Sequence, residues 1–186
     1  MIFTHSGYKL RFVQKRPINE DDHIFSLIFT FISPVTKYKY ILIADFHTQD
    51  LFAIKFYCSK DKKSEFKYSN IINKGDAMNI FATCASVIPI LLIDYPKASF
   101  GLCASRSIDR RTLLLEPVQQ NQRFKIYSCL IKAKFGSQTF THFQYPQISS
   151  YLLINNDCED VVIKERAIIV ALCTTYPNLP DISSIS

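Results

Sequence analysis

The chain has 186 residues and a formal net charge of +6 at neutral pH, with 48% hydrophobic and 20% charged residues. A chain of this length builds one hydrophobic core more readily than two small ones, so we expect a single domain over residues 1–186. The composition argues against a largely disordered protein, and we expect flexibility only at the ends, residues 1–7 and 177–186. The moderate positive charge fits a polyanionic ligand, an acidic partner protein or solubility alone.

Targeting signals and paired cysteines are not evident in the sequence. The first residues, MIFTHSGYKLRFVQKR, lack the charged start and long apolar stretch of a secretion signal, and no run reaches about 18 uninterrupted apolar residues. The six cysteines are spread with no close pair, which favours reduced thiols over a zinc site or a disulfide framework. These features predict a cytoplasmic protein without membrane contact.

The first third of the chain has the alternation and the β-branched and aromatic residues of an antiparallel meander. Short polar connections, such as SPVTK and HTQ, separate the runs. Four strands are predicted, in YKLRFVQK, HIFSLIFTFI, KYKYILIADF and DLFAIKFYC.

A helix follows, because apolar residues from Ala77 to Tyr95 recur at three-and-four spacing. Asp76 is expected to cap its first backbone amides, and Pro96 blocks its continuation. Pro89 lies inside the helix and should kink it.

The second half predicts a strand in ASFGLCAS and then a helix capped by Ser105 or Ser107, divided by Pro117 and ended at Gly136. Two more strands, in TFTHFQY and SYLLIN, precede a last helix that Asp157 should open. The predicted fold class is therefore α+β, with a curved, mostly antiparallel sheet of six or seven strands covered by three helices.

This order of elements, over about residues 23–155, resembles the core of the GNAT acyltransferases. The resemblance implies an acyl-CoA-dependent transferase with acetyl-CoA as cofactor. GNAT enzymes carry a Gln/Arg-x-x-Gly-x-Gly/Ala turn before the first long helix, where backbone amides hold a pyrophosphate. Here the corresponding stretch is YSNIINKGDAMN, in which Asp76 places a negative charge where the phosphates would sit.

The stretch from Asn73 to Arg111 resembles the central part of a family of small uncharacterised bacterial proteins. It keeps Gly75-Asp76, Tyr95-Pro96 and an arginine-rich segment. The resemblance implies a bacterial origin and a similar fold, and it implies no activity.

The arginine-rich segment ASRSIDRRTLLLEPVQ is the strongest candidate site. If a helix begins near Ser107, its arginines share one end of that helix, where free amides also attract anions. Such a cluster can bind a phosphate, a carboxylate or a nucleic-acid backbone in a bidentate manner, but the favoured interpretation is that Asp109, Glu116 and acids of neighbouring strands neutralise it. The predicted anion- or partner-binding residues are Arg106, Arg110, Arg111 and Arg123.

A second candidate is ADFHTQD, where Asp45, His47 and Asp50 lie near a strand end. Aspartate and histidine can ligate a metal or act as acid and base. Turns are rich in polar residues, so the favoured interpretation is a solvated hairpin turn and no metal.

Together these features predict a small non-enzymatic binding or regulatory protein that needs no cofactor. Its arginine-rich helix start would engage an acidic protein or a phosphate-bearing ligand. The alternatives are a divergent GNAT-like acyltransferase that uses acetyl-CoA and, third, a nucleic-acid-binding protein in which aromatic residues interleaved with basic ones, as in YKLRFVQKR, stack on bases.

Overall fold

The computed structural model describes residues 7–20, 22–70, 75–108, 112 and 114–176. It contains a seven-stranded sheet and four α-helical segments, which confirms the predicted α+β class. The strands are β1 (Arg11–Glu20), β2 (His23–Ile32), β3 (Lys39–His47), β4 (Leu51–Cys58), β5 (Ser99–Cys103), β6 (Phe140–Tyr145) and β7 (Ser150–Asn155). The helices are α1 (Ala77–Ala85), α2 (Val87–Asp94), α3 (Gln122–Lys134) and α4 (Val161–Thr175).

The sheet is open, with the strand order β1-β2-β3-β4-β5-β7-β6. Neighbouring strands pair antiparallel except β4 and β5, which run parallel. The parallel pairing extends only over Leu51–Ala53 and Ser99–Gly101. Beyond those three residues β4 and β5 continue without pairing to each other, which leaves an opening at the carboxyl ends of both strands.

Both faces of the sheet are covered, and each has its own apolar cluster. The larger cluster joins one face to α1, α2 and α3, and includes Leu42, Phe52, Phe100 and Leu130. The smaller one lies on the opposite face and joins Leu51, Leu152 and Ile154 to Ile168 and Leu172 of α4. Alternate residues of β3 and β4 therefore point into two different interiors.

The predicted helix over Ala77–Tyr95 is present but broken earlier than expected. The break lies at Ser86, between α1 and α2. Pro89 causes it, because its ring clashes with the carbonyl of Ala85, four residues earlier, and it has no N–H to donate there. α2 then restarts with the proline in its first turn, where a missing donor costs nothing.

Asp76 stands at the start of α1 but does not cap it with its side chain. Its carboxylate is buried and accepts hydrogen bonds from Tyr8 Oη at 2.6 Å, from Asn79 Nδ2 at 2.9 Å and from Ser33 Oγ. The predicted cap is therefore wrong, because three side-chain donors compete for the carboxylate more successfully than the backbone amides.

Residues 77–94 are long and apolar enough to cross a membrane, with a mean hydropathy of 1.8. Half of this stretch is buried inside the protein, and the core helix of a soluble protein passes the same test. It is the one such stretch among the described residues. Length and composition alone are weak evidence that a helix crosses a membrane.

Two predicted helix starts are wrong. Among the described residues of the arginine-rich segment none is helical, and α3 begins at Gln122 with Asn121 as its cap, whose side chain accepts from Phe124 N at 2.9 Å. α4 begins after Asp160, which accepts from the amides of Val162 and Ile163, and not after Asp157.

The chain ends lie mostly outside the described residues, so the flexibility predicted for 1–6 and 177–186 stays a prediction. Gly7 is described, with a φ of +72° that favours glycine. A Cβ at this position would lie 2.9 Å from the backbone nitrogen of Thr83, so the glycine also permits a close approach to α1.

Candidate ligand cleft and buried polar cluster

Two of the four predicted anion-binding arginines are described, and both donate to backbone carbonyls. Arg106 Nε donates to the carbonyl of Glu116 at 2.6 Å. Arg123 donates to the carbonyls of Tyr68 and, at 3.1 Å, of Asn70. Arg110 and Arg111 lie outside the described residues.

Burial lowers the pKa of Arg123, while the nearby Tyr127 and Glu116 oppose that shift. The guanidinium stays charged, because its ordinary pKa is far above neutral. It ties the loop before residue 71 to the first turn of α3, and that is a structural role.

The N-terminus of α3 already contacts an anion from the chain itself. Glu116 Oε1 accepts from the backbone amide of Gln122 at 2.6 Å, and its Oε2 accepts from the amide of Ser107 at 3.1 Å. A carboxylate at this position satisfies a free amide and complements the helix dipole. An external phosphate would have to compete with it.

A different group of charged residues is buried on the α4 side of the sheet. Asp45 is its centre and is 1% exposed. Its carboxylate accepts from Ser26 Oγ at 2.7 Å and from Tyr176 Oη at 3.1 Å, and it forms an ion pair with Lys55. We call the following six residues the buried polar cluster: His23, Ser26, Asp45, His47, Lys55 and Tyr176.

The register of the sheet brings the cluster together. Ser26 lies directly opposite Asp45 in the pairing of β2 with β3, and His23 lies opposite His47. The two imidazole rings stack with their centroids 4.8 Å apart. Lys55 comes from β4, and Tyr176 follows the last turn of α4, so four separate elements meet here.

Burial and charge act in opposite directions on the carboxylate. Burial alone raises the pKa of Asp45, but the Lys55 ammonium, the hydrogen bonds from Lys55 and Ser26 and the nearby His23 hold it below its usual value. Burial lowers the pKa of His47 to about 4, with the neighbouring His23 contributing. Asp45 is therefore ionised and His47 neutral near pH 7.

The predicted solvated turn is wrong for two of its three residues. Asp45 and His47 are buried, whereas Asp50 is exposed in the turn. The run KYILIADF has apolar residues at consecutive positions, and that pattern indicates a strand covered on both faces. Sequence reasoning missed His23, Lys55 and Tyr176, because their approach depends on strand register and on the docking of α4.

A cavity of about 190 Å³ opens beside this cluster, where β4 and β5 separate. Its floor is the sheet face that α4 covers, and Lys55 and Tyr176 connect it to the buried polar cluster. We call it the β4–β5 cleft, and its lining residues are Ala53, Ile54, Lys55, Tyr68, Gly101, Leu102, Cys103, Ser105, Tyr145, Ser150, Leu152, Leu172 and Tyr176.

The polar groups of the cleft are few and mostly uncharged. Tyr145 donates to Glu165, and burial with this carboxylate raises the pKa of the phenol. Cys103 is exposed at the surface, but the protein around its thiol removes part of the solvent, and this desolvation raises the pKa of the thiol. A thiol with a raised pKa is a poor nucleophile, so the cleft is better suited to binding than to thiol chemistry.

A second, smaller cavity of about 120 Å³ lies on the other side of the same strand opening. Phe56, Cys58, Phe81 and Arg123 are among its described lining residues. Tyr68 lines both cavities, and burial raises the pKa of its phenol to about 12. The aromatic ring of one residue therefore borders both sides of the opening.

The described residues fit the phosphates of acetyl-CoA poorly. The start of α1, which the GNAT resemblance assigns to the pyrophosphate, carries the buried carboxylate of Asp76. The Asp76 side chain occupies the place at the helix N-terminus where a phosphate would bind. Residues 71–74, just before it, lie outside the described residues.

Comparison with protein-family models, with curated proteins and with solved structures finds no match to this chain.

Proposed function

We propose that this protein binds a small, uncharged and largely apolar molecule in the β4–β5 cleft. The observation that carries the proposal is the separation of two parallel strands after only three paired residues, with a cavity at that point. In open parallel sheets, ligands bind in the crevice outside the carboxyl ends of the strands, where the strand order reverses, and the separation of β4 and β5 gives this mostly antiparallel sheet a comparable crevice. Apolar side chains with a few polar groups around them are the usual lining of such sites.

The size of the cavity limits the ligand. A cavity of about 150 Å³ lined by apolar side chains holds benzene, so 190 Å³ suits a single aromatic ring with one or two substituents. Ser105 is one of the lining residues, and its hydroxyl can hydrogen-bond a polar substituent of the ligand.

The charges around the cleft favour a neutral ligand over an anion. Lys55 is the positively charged residue among those that line the cleft, and its ion pair with Asp45 already neutralises it. Glu165 adds a negative charge behind Tyr145. An anionic ligand would therefore gain little from Lys55 unless it displaced Asp45 from the ion pair.

The function favoured from the sequence and its two alternatives stay predictions. An acidic or phosphate-bearing partner at Arg106, Arg110, Arg111 and Arg123 would have to compete with the carbonyls and the carboxylate that Arg106, Arg123 and the α3 amides now contact. The GNAT-like acyltransferase that uses acetyl-CoA is opposed by the buried side chain of Asp76 at the start of α1. Nucleic-acid binding by stacked aromatic and basic residues stays the third prediction.

The test uses two ligands of nearly equal size and different charge. Binding of p-cresol and of p-toluate to the full chain is measured by protein NMR titration. We expect p-cresol to shift the resonances of residues around Gly101 and Leu152, and p-toluate to bind more weakly. Ala53→Leu should abolish binding, because the larger side chain fills the cleft. Ala133→Leu makes the same change on the exposed side of α3 and should leave binding intact.

Four results would count against the proposal. Equal loss of binding in the two leucine variants would place the ligand elsewhere, and preference for p-toluate would indicate an anion site. Saturable binding of acetyl-CoA that Ala53→Leu leaves unchanged would favour the transferase with a site outside the cleft. Binding of a single-stranded oligonucleotide that falls steeply with salt would favour the nucleic-acid hypothesis.

A further inference from the structure

We propose that His23, Asp45 and His47 form a binding site for Zn²⁺, with water completing the coordination. Each of the three offers one ligand atom, and these atoms all lie within 4.8 Å of one another. Two imidazoles and a carboxylate are a usual protein ligand set for zinc. The proposal concerns a site next to the β4–β5 cleft and does not depend on a ligand binding there.

The strands hold the three groups on one face. Asp45 and His47 are alternate residues of β3 and project to the same side, and His23 lies opposite His47 on β2. Around a tetrahedral zinc ion the ligand atoms lie about 3.3 Å apart, as follows from bonds of about 2.0–2.1 Å. The His23 and Asp45 atoms are already 3.5 Å apart, and the most distant pair needs to approach by up to about 1.5 Å, which side-chain rotation can provide.

The hydrogen bonds of His47 leave one of its nitrogens without a partner. The single proton of Tyr176 Oη goes to Asp45, so the Nε2 of His47, 3.0 Å from that oxygen, must donate to it. In this tautomer Nδ1 carries an unprotonated lone pair. His47 is fully buried, and its Nδ1 has no hydrogen-bond partner among the described residues.

An unpaired buried acceptor is costly and uncommon, and it calls for an explanation. Neutral imidazole is the form that binds metal ions, and a metal ion supplies the partner that a buried nitrogen lacks. Either nitrogen of His47 can serve as ligand after a turn of the ring. The side chain of His23 is 13% exposed, which offers an ion a route from solvent.

Lys55 is the group that opposes a cation in this place, because its ammonium pairs with Asp45. A third of the Lys55 side chain is exposed and it lines the cleft, so it can move away when an ion binds. Its charge should nevertheless weaken metal binding. If the three residues bind a metal ion, removal of the Lys55 charge should strengthen metal binding. If the cluster serves only to stabilise the fold, the same change should only destabilise the protein.

The experiment titrates the full chain with Zn²⁺ by calorimetry and with Co²⁺ by visible absorption, which reports the coordination of the ion. We expect one ion per chain in the wild type. His23→Ala should weaken Zn²⁺ binding by about tenfold or more and remove the cobalt absorption bands. His142→Ala is the matched control, because this histidine lies on β6 and contacts Tyr151, and it should change neither measurement.

Lys55→Met tests the same site by a gain that misfolding cannot mimic. We expect it to bind Zn²⁺ more tightly than the wild type and to melt at a lower temperature without metal. The proposal is overturned if the wild type binds no stoichiometric ion, if Lys55→Met binds it less tightly, or if His142→Ala loses as much affinity as His23→Ala.

Discussion

The arginine-rich segment and the buried polar cluster are both rich in polar groups, but their groups have different surroundings. Arg106 donates to a carbonyl ten residues away in the chain, and Glu116 accepts from the N-terminus of α3, so the described polar groups of this segment are paired locally. Asp45 instead collects donors from β2, β4 and the end of α4. Density of charge along the sequence is therefore a poor guide to a site, and convergence of buried polar groups from distant segments is a better one.

The largest expected effect comes from Asp45→Ala. It leaves Lys55, Ser26 and Tyr176 without their shared acceptor, so the free energy of unfolding should fall by about 3 kcal/mol. This is the low end for a broken buried pair, because a third of Lys55 is exposed. Urea denaturation with an unchanged m-value measures the loss.

Asp50→Asn is the control for that experiment, since Asp50 is exposed in the turn after β3. Its effect should stay within about 0.5 kcal/mol. Equal losses in the two variants would mean that the buried cluster does not stabilise the fold, and the contrast between the two regions would disappear.

A smaller effect is expected from Arg123→Met. The carbonyls of Tyr68 and Asn70 lose a charged donor, so the free energy of unfolding should fall by about 1–3 kcal/mol. Arg166→Met, on the exposed side of α4, provides the control and should be nearly neutral. If Arg123→Met proves as stable as the wild type, its guanidinium is available for a ligand, and the anion-binding hypothesis gains support.

The smallest effect distinguishes the two aspartates before α4. Asp160→Ala removes the cap of Val162 and Ile163 and should cost about 1 kcal/mol. Asp157→Ala removes only an exposed ion pair with Lys97 at 3.8 Å, and its cost should be smaller. Thermal melts compare the two, and a larger loss for Asp157→Ala would restore the start of α4 that the sequence predicted.

The strands and the main helical regions could be predicted because their patterns are local. Runs of apolar, β-branched and aromatic residues bounded by polar turns identified the strands, and three-and-four spacing identified α1 and α2. The start of α3 was missed, although Asn121 is a good cap and Phe124, Tyr127 and Ile131 follow at helical spacing. The serines before Pro117 offered a competing cap, and only the tertiary packing decides between them.

The candidate sites were less predictable for a physical reason. Asp45 and His47 were visible in the sequence, and the apolar run around them already indicated burial on both faces. His23 joins them only through the β2–β3 register, which has an irregularity next to that residue. Tyr176 joins them only because α4 packs on the second face, and the cleft exists only because β4 and β5 separate.

The short seam between β4 and β5 also bears on how the chain folds. β1 to β4 pair with chain neighbours across short turns, so their contacts are local and cheap to close. Leu51 pairs with Ser99 across a segment that contains two helices, so this pairing closes a long loop. Only three residues on each strand form the pairing that offsets the entropy of closing it. Contact-order arguments therefore predict that the N-terminal meander forms early and that the two halves of the sheet join late.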